Sequence, residues 1–167
     1  MKRNILFFIT LLYLTACGGN TNQDPKLDDF YSDKGGFDYG RIPLIKPYEL
    51  TTSSRENYWT AETIDTSEVP LNMPGARNIN IVNSIIFIYG RETILNGQEV
   101  DAAWFVIIPK NHIVRGFMDH KKYLAYIQSI GFQKEPLLYD VQEVYRFFSK
   151  HNKVDWKEIS LSLKAEN

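Results

Sequence analysis

Three histidines, a single cysteine and a scatter of carboxylates are the side chains here that suit metal binding or proton transfer. A zinc site wants ligands at tight spacing, such as two histidines one helical turn apart with a further His, Cys or carboxylate nearby. His112 falls in a loop pattern, His120 at a helix start and His151 at a helix end. That spacing predicts neither a metal nor another cofactor, and at His151 a protonated imidazole simply suits a helix C-terminus. No Gly-x-Ser-x-Gly elbow occurs, and no serine stands in a local pattern that forecasts a His or Asp partner. The adjacent carboxylates Asp28 and Asp29 lie in a polar stretch where water keeps them ordinary, not in a dry cleft that splits their acidities. Gly18-Gly19 and Gly35-Gly36 precede no strand-to-helix turn able to cradle phosphate. No catalytic residue is therefore assigned. A hydrolase acting on glycan or peptide would need distant groups such as Glu62, Asp101, His112 and Asp119 to converge.

The cysteine is Cys17, and its position is informative. Lys2 and Arg3 form a basic start, residues 5–14 (ILFFITLLYL) an apolar core, and Thr15-Ala16 a small-residue approach to a cut site. The apolar core is too short for a spanning helix, which needs about 20 such residues. Residues 1–16 thus read as a signal peptide that is removed. Leu14-Thr15-Ala16-Cys17 resembles the lipobox of bacterial lipoproteins, which the class-specific (type II) signal peptidase cuts just before the cysteine. The resemblance implies that Cys17 carries a diacylglyceryl group on sulfur and becomes the new N-terminus, usually acylated on its amine as well. Each buried methylene contributes about 0.8 kcal/mol and one chain anchors only marginally, so two or three make attachment durable. Gly18 resembles the residue that follows the cysteine in outer-membrane-directed lipoproteins. With one cysteine, no intrachain disulfide forms even in an oxidising envelope.

Loss of residues 1–16 from the 167 leaves 151, a length for one domain plus a tether. It also removes two basic residues, leaving 17 Lys and Arg against 20 Asp and Glu, a formal charge of −3. A nucleic-acid binder carries a basic patch or stripe, and no such cluster appears, so nucleic acid is not an expected partner. Hydrophobic residues at 44% and aromatics at 14% suffice for a folded core.

Residues 17–36, rich in Gly, Asn, Asp and Ser, read as a lipidated flexible tether, in which Asp24, Asp28, Asp29 and Asp33 either act as a sorting signal or, as is commoner for charges in such a place, only keep the linker soluble. A single α+β domain is expected over residues 37–167. Residues 42–50 carry two prolines and suit an edge strand or an extended wrapping segment. Residues 58–64 (YWTAETI) favour a strand, and Pro70 with residues 73–75 (MPG) punctuates a loop. Residues 78–81 alternate polar and apolar, Asn83-Ser84 suggests a turn, and residues 85–89 (IIFIY) form a continuous apolar strand. A polar loop containing Asn96-Gly97 leads to residues 102–108 (AAWFVII), stopped by Pro109. Asp119 is an N-cap candidate for a helix carrying Tyr123, Tyr126, Ile127 and Ile130 on one face, with Gly131 as its stop. Asp140 and Glu143 form a possible capping box ahead of Val141, Val144, Tyr145 and Phe148. Residues 155–163 suit a last short strand or turn. Strands followed by helices predict an α+β fold, a small antiparallel sheet with two C-terminal helices packed on one face.

Of the three tryptophans, Trp104 lies in the most apolar strand and is expected in the core. Tyr58, Trp59 and Trp156, flanked by polar residues, are the candidates for an exposed patch that stacks a sugar or anchors a protein partner. Residues 78–132, with a strand, the Trp104-Phe105 strand and a helix after Gly116-Phe117, resemble a pattern of small bacterial envelope lipoproteins without assigned activity. The resemblance implies a fold and transfers no catalytic residue. The expected function is a lipid-anchored accessory or binding protein of the cell envelope, at the outer membrane and facing the periplasm or the surface. It would touch the membrane through its N-terminal lipid, with an envelope protein or glycan as partner. An immunity or inhibitor lipoprotein of the periplasm is the alternative among binding proteins, and the convergent hydrolase is the alternative of another class.

Overall fold

A computed structural model describes residues 28–53, 58–65, 70–151 and 155–165, with the side chains of 163–165 excepted. Cys17, the expected signal peptide over residues 1–16 and most of the expected tether lie outside the described residues. An antiparallel meander runs through β1 (Tyr39–Pro43), β2 (Tyr48–Ser53), β3 (Trp59–Thr63), β4 (Asn72–Val82), β5 (Ile85–Leu95), β6 (Gln98–Ile108) and β7 (Ile113–Phe117), each strand pairing with the next. β8 (Tyr139–Asp140) returns to pair with β4 at Asn78 and Ile79, making eight strands. The helices are α1 (Asp29–Ser32), α2 (His120–Ser129), α3 (Val141–Lys150) and α4 (Trp156–Ala165). Antiparallel α+β is the architecture expected, but the sheet is large rather than small.

Two-residue turns explain its size. Asn96 and Gly97 both take positive φ (53° and 77°), as do Asn83 and Ser84 (52° and 60°), the backbone that a tight hairpin of right-handed twist demands. Pairing therefore runs to the tip, with Leu95 opposite Gln98. The expected polar loop around Asn96-Gly97 is mostly strand. Residues 73–75, expected in a loop, lie inside β4 at an irregularity in its pairing. Gly75 has φ of 74° there, and a Cβ would run into the Arg91 carbonyl. Breaker residues thus mark a bulge in a strand rather than its end. Pro43 closes β1, an edge strand, and Pro47 falls in the turn before β2, so the expected single edge segment is a hairpin.

The helices do not share a face. Alternate side chains of a strand point to opposite sides. Ile86, Ile88, Phe105 and Ile107 face one way and pack with Val141 and Val144 of α3 and Ile159 of α4, together with Trp59 and Tyr48. Phe87 and Val106 face the other way and pack with Tyr123 and Ile127 of α2. The continuous apolar runs in β5 and β6 are buried on both sides for that reason. α4 replaces the last strand or turn expected over 155–163. α2 ends in the motif its glycine forecast: Gly131 (φ 101°) donates to the Gln128 carbonyl and Phe132 to that of Ile127, both at 3.0 Å.

Packing also begins earlier than the expected boundary at Phe37. Asp28 caps α1 by accepting from the Phe30 amide at 2.9 Å, and Phe30 is buried. Lys34 and Gly36 then bond to Arg41 and Tyr39, so residues 34–36 extend the sheet past β1. Residues 28–36, expected as part of the tether, are docked.

Candidate functional site

The aromatic patch expected from Tyr58, Trp59 and Trp156 is not assembled. Trp59 is 1% exposed, facing the core shared with α3, with its ring 5.1 Å from that of Tyr145. Trp156 is half-buried against the same core. Both indole N–H groups are buried without an acceptor. Tyr58 is half-buried, and its hydroxyl donates to the Glu92 carbonyl at 3.2 Å. The reason is periodicity: neighbours along a strand point to opposite faces, and α4, being helical, lays Trp156 onto the core.

Nor do the hydrolase candidates converge. Glu62 accepts from the Thr51 hydroxyl at 2.6 Å within the β2–β3 pair. Asp119 is occupied as the α2 cap, accepting from the amides of Lys121 (2.8 Å) and Lys122 (3.3 Å). Asp101 lies near the start of β6 while His112 follows its far end, and the seven steps from 101 to 108 alone span about 23 Å. Asp101 instead joins Glu92 and Glu99 on the wall of an open cavity of about 610 Å³ with Tyr58, Pro74 and Ile94. Among the described residues, no three side chains of ligand type are grouped for a metal. His151, at the end of α3, lies 2.7 Å from the Phe147 carbonyl through Nδ1 and stacks on that ring at 3.9 Å.

What the fold does bring together lies on the α2 side of the sheet. Asn78, Tyr89, Trp104 and Phe117 are direct cross-strand neighbours on β4 to β7. The Tyr89 and Trp104 rings are 5.1 Å apart, and the first turn of α2 sets His120 at 4.9 Å and Tyr123 at 6.1 Å from the indole. Trp104 is thus only half-buried, not fully in the core as expected. Residues 135–138 pass over this row on the way to β8, held where the buried Asn80 donates its amide to the Leu137 carbonyl at 2.7 Å. His120 Nε2 lies 3.0 Å from Glu135 Oε1 and 3.1 Å from Oε2. Residues 135–138 and the row beneath them enclose a groove of about 400 Å³ lined by Asn78, Tyr89, Glu135, Pro136, Leu137 and Leu138.

This groove pairs an aromatic face with an amide and a carboxylate at its edge, a surface able to stack a flat apolar face and hydrogen-bond its rim. Beneath it, the Tyr123 hydroxyl is buried without a partner. Burial foremost, and then the charge of Glu135, raise its pKa far above the usual phenol range. Tyr123 is therefore neutral, with its ring stacked on Trp104 and His120. No local motif joins these rings, because they come from separate elements: Tyr89 from β5, Trp104 from β6, and His120 and Tyr123 from α2. The signal that places Tyr89 beside Trp104 was nevertheless there: with a two-residue turn at Asn96-Gly97, counting outward from Leu95 and Gln98 sets residue 89 opposite residue 104.

No protein-family model matches the chain, and neither a curated protein nor a solved structure matches it significantly.

Proposed function

We propose that the chain is a lipid-anchored accessory or binding protein of the cell envelope, carried at the outer membrane by acyl groups on Cys17. The observation that carries this reading is the place of the sole cysteine, directly behind a basic start, a short apolar core and Leu14-Thr15-Ala16. Its working surface is the row of Asn78, Tyr89 and Trp104 with the groove under residues 135–138. A ligand with a flat apolar face and polar edges, such as an envelope glycan, suits that surface: Tyr89 stacks it while Asn78 and Glu135 bond its rim. Anchoring adds to this by confining the domain to a thin layer and raising its effective concentration toward whatever lies there.

Two measurements test the reading. Mass spectrometry of protein from its native cell should find Cys17 acylated and N-terminal, and Cys17→Ser should release the product from the membrane pellet. An unmodified residue 17 refutes the anchor. For the ligand surface, titration of the protein with solubilised envelope glycans should change the emission of Trp104. Tyr89→Ala should weaken that binding by about tenfold, equivalent to about 1.4 kcal/mol of lost stacking. Equal binding by Tyr89→Ala refutes the groove as the site.

A further inference from the structure

Phe37 stands apart from every other large apolar side chain of the described residues: it is 104% exposed, as open as in a free chain. It is not in a loosely held segment. Gly36 donates to the Tyr39 carbonyl at 3.1 Å and Arg41 to that of Lys34 at 3.1 Å, so residues 37 and 38 form the two-residue tip of a bonded hairpin. Gly35 (φ 93°) carries the turn, where a Cβ would collide with the Tyr39 carbonyl. Below it, Arg41 fastens the hairpin's first arm by donating to the carbonyls of Phe30 (2.7 Å) and Asp33 (2.9 Å). Tyr39, 42% exposed, lies beside Gly36, with ring atoms within 3.4 Å of where a Gly36 Cβ would stand. A rigid mount that holds a bare phenyl ring in water, flanked by a half-exposed tyrosine, has no use in folding.

We propose that the Phe37 tip, with Tyr39 as its interfacial flank, seats in the lipid bilayer that holds the anchor. This rests on the reading of Cys17 as lipidated. The eleven residue-to-residue steps from Cys17 to Asp28 span at most about 40 Å, while the chain from Asp28 to Phe37, one turn of helix and then extended, covers no more than about 25 Å. The tether is therefore long enough for the tip to meet the surface to which the anchor is fixed. Contact is apolar and not electrostatic. Asp38 at the tip and Asp33 below it are exposed carboxylates, and Lys34 is directed to the Ser149 carbonyl at 3.2 Å and the Phe148 ring. Zwitterionic lipid is the partner this charge pattern fits, with phenyl burial and a tyrosine at the headgroup level as the driving contacts. A second contact point beside the lipid anchor holds the domain in a single orientation, with the strand end bearing Gln98 turned away from the bilayer.

The test uses the full lipidated chain in phosphatidylcholine–phosphatidylethanolamine vesicles. An acylated Cys17 offers no thiol, so Asp38→Cys accepts a single environment-sensitive label beside Phe37, and Gln98→Cys a control label at the opposite strand end. The label at 38 is expected to be blue-shifted and shielded from an aqueous quencher, unchanged by high salt, and the label at 98 fully quenched. Adding Phe37→Ser should lower the seated-to-free ratio at position 38 by about tenfold with the thermal midpoint unmoved, as befits a side chain that touches nothing. Intact mass of the same sample reports acylation separately. Acylated protein with an aqueous label at 38, or a shielded label indifferent to Phe37→Ser, overturns the tip contact and leaves the anchor standing. Unacylated Cys17 overturns both.

Discussion

Arg41 Nε donates to Glu49 Oε2 at 2.6 Å across the β1–β2 hairpin, and the two residues are only 5% and 7% exposed. The same guanidinium holds the Phe30 and Asp33 carbonyls and covers the Phe30 ring at 4.6 Å. One buried cation thus joins the segment ahead of the sheet to its edge. Removing one partner of a buried pair leaves the other charge uncompensated and costs about 3–5 kcal/mol. Arg41→Ala should show that loss in denaturant unfolding. Limited proteolysis should cut it within residues 28–36 before the sheet opens, and uncut protein would count against the docking role.

The pair also sets a pH dependence. Burial, opposed by the bond and charge of Arg41, holds the Glu49 carboxyl above its ordinary value of 4.5. The folded chain then takes up this proton at higher pH than the unfolded chain, so its contribution to stability grows as pH falls through the raised value toward 4.5. The stability gap between the parent chain and Glu49→Gln should widen over that fall. Asp28 behaves oppositely: the Phe30 amide, and then Lys46, hold its pKa below the ordinary 3.8. Its contribution is present above that value and is lost at lower pH, so the penalty of Asp28→Asn should shrink there. Urea midpoints measured from neutral pH to about 3 separate the two signs.

Tyr123→Phe should leave stability unchanged or raise it by up to about 1 kcal/mol. The substitution deletes a buried hydroxyl that has no partner and keeps the ring that stacks on Trp104 and His120. Tyr123→Ala, which opens a cavity under the same rings, should cost about 3–5 kcal/mol. Thermal unfolding of the two variants decides it, and a destabilised Tyr123→Phe would mean that the hydroxyl is bonded.

Two glycines with nearly equal positive φ should answer differently to alanine. Gly97 (φ 77°) tips the β5–β6 turn with nothing within 4 Å of a new Cβ, so Gly97→Ala costs only the left-handed backbone penalty of about 1 kcal/mol. Gly75 (φ 74°) pays that and a collision with the Arg91 carbonyl across the bulge, so Gly75→Ala should exceed it by about 1–2 kcal/mol. Equal unfolding midpoints would show that the bulge relaxes.

His120→Ala should cost less than about 1 kcal/mol, because its pair with Glu135 is solvent-exposed. It should still shift tryptophan emission to the red, since the imidazole covers Trp104 while Trp59 stays buried. Unaltered emission would show that Trp104 remains shielded by other groups.

Local features were legible where local energetics decide them. Asp119, Gly131 and Asp140 bounded their helices because an orphan amide or a left-handed stop needs a particular residue within one turn. The runs at 85–89 and 102–108 read as strands because both of their faces are apolar. Misreadings arose where a residue type has two structural uses. Met73-Pro74-Gly75 looks alike in a loop and in a bulge, and the polar stretch around Asn96-Gly97 looks alike whether or not it is paired, because one exposed face satisfies either arrangement.

By itself the amino-acid order determined the class of fold, both ends of α2, the start of α3 and the place of Cys17 behind an apolar run, each a matter of neighbours along the chain. Tertiary structure alone decided that α2 takes one face of the sheet while α3 and α4 take the other, because an apolar stripe specifies burial without naming the surface that buries it. It likewise buried Trp59 and left Trp104 beside a groove. Both are apolar residues of strands, and their exposure is set by which helix arrives above them.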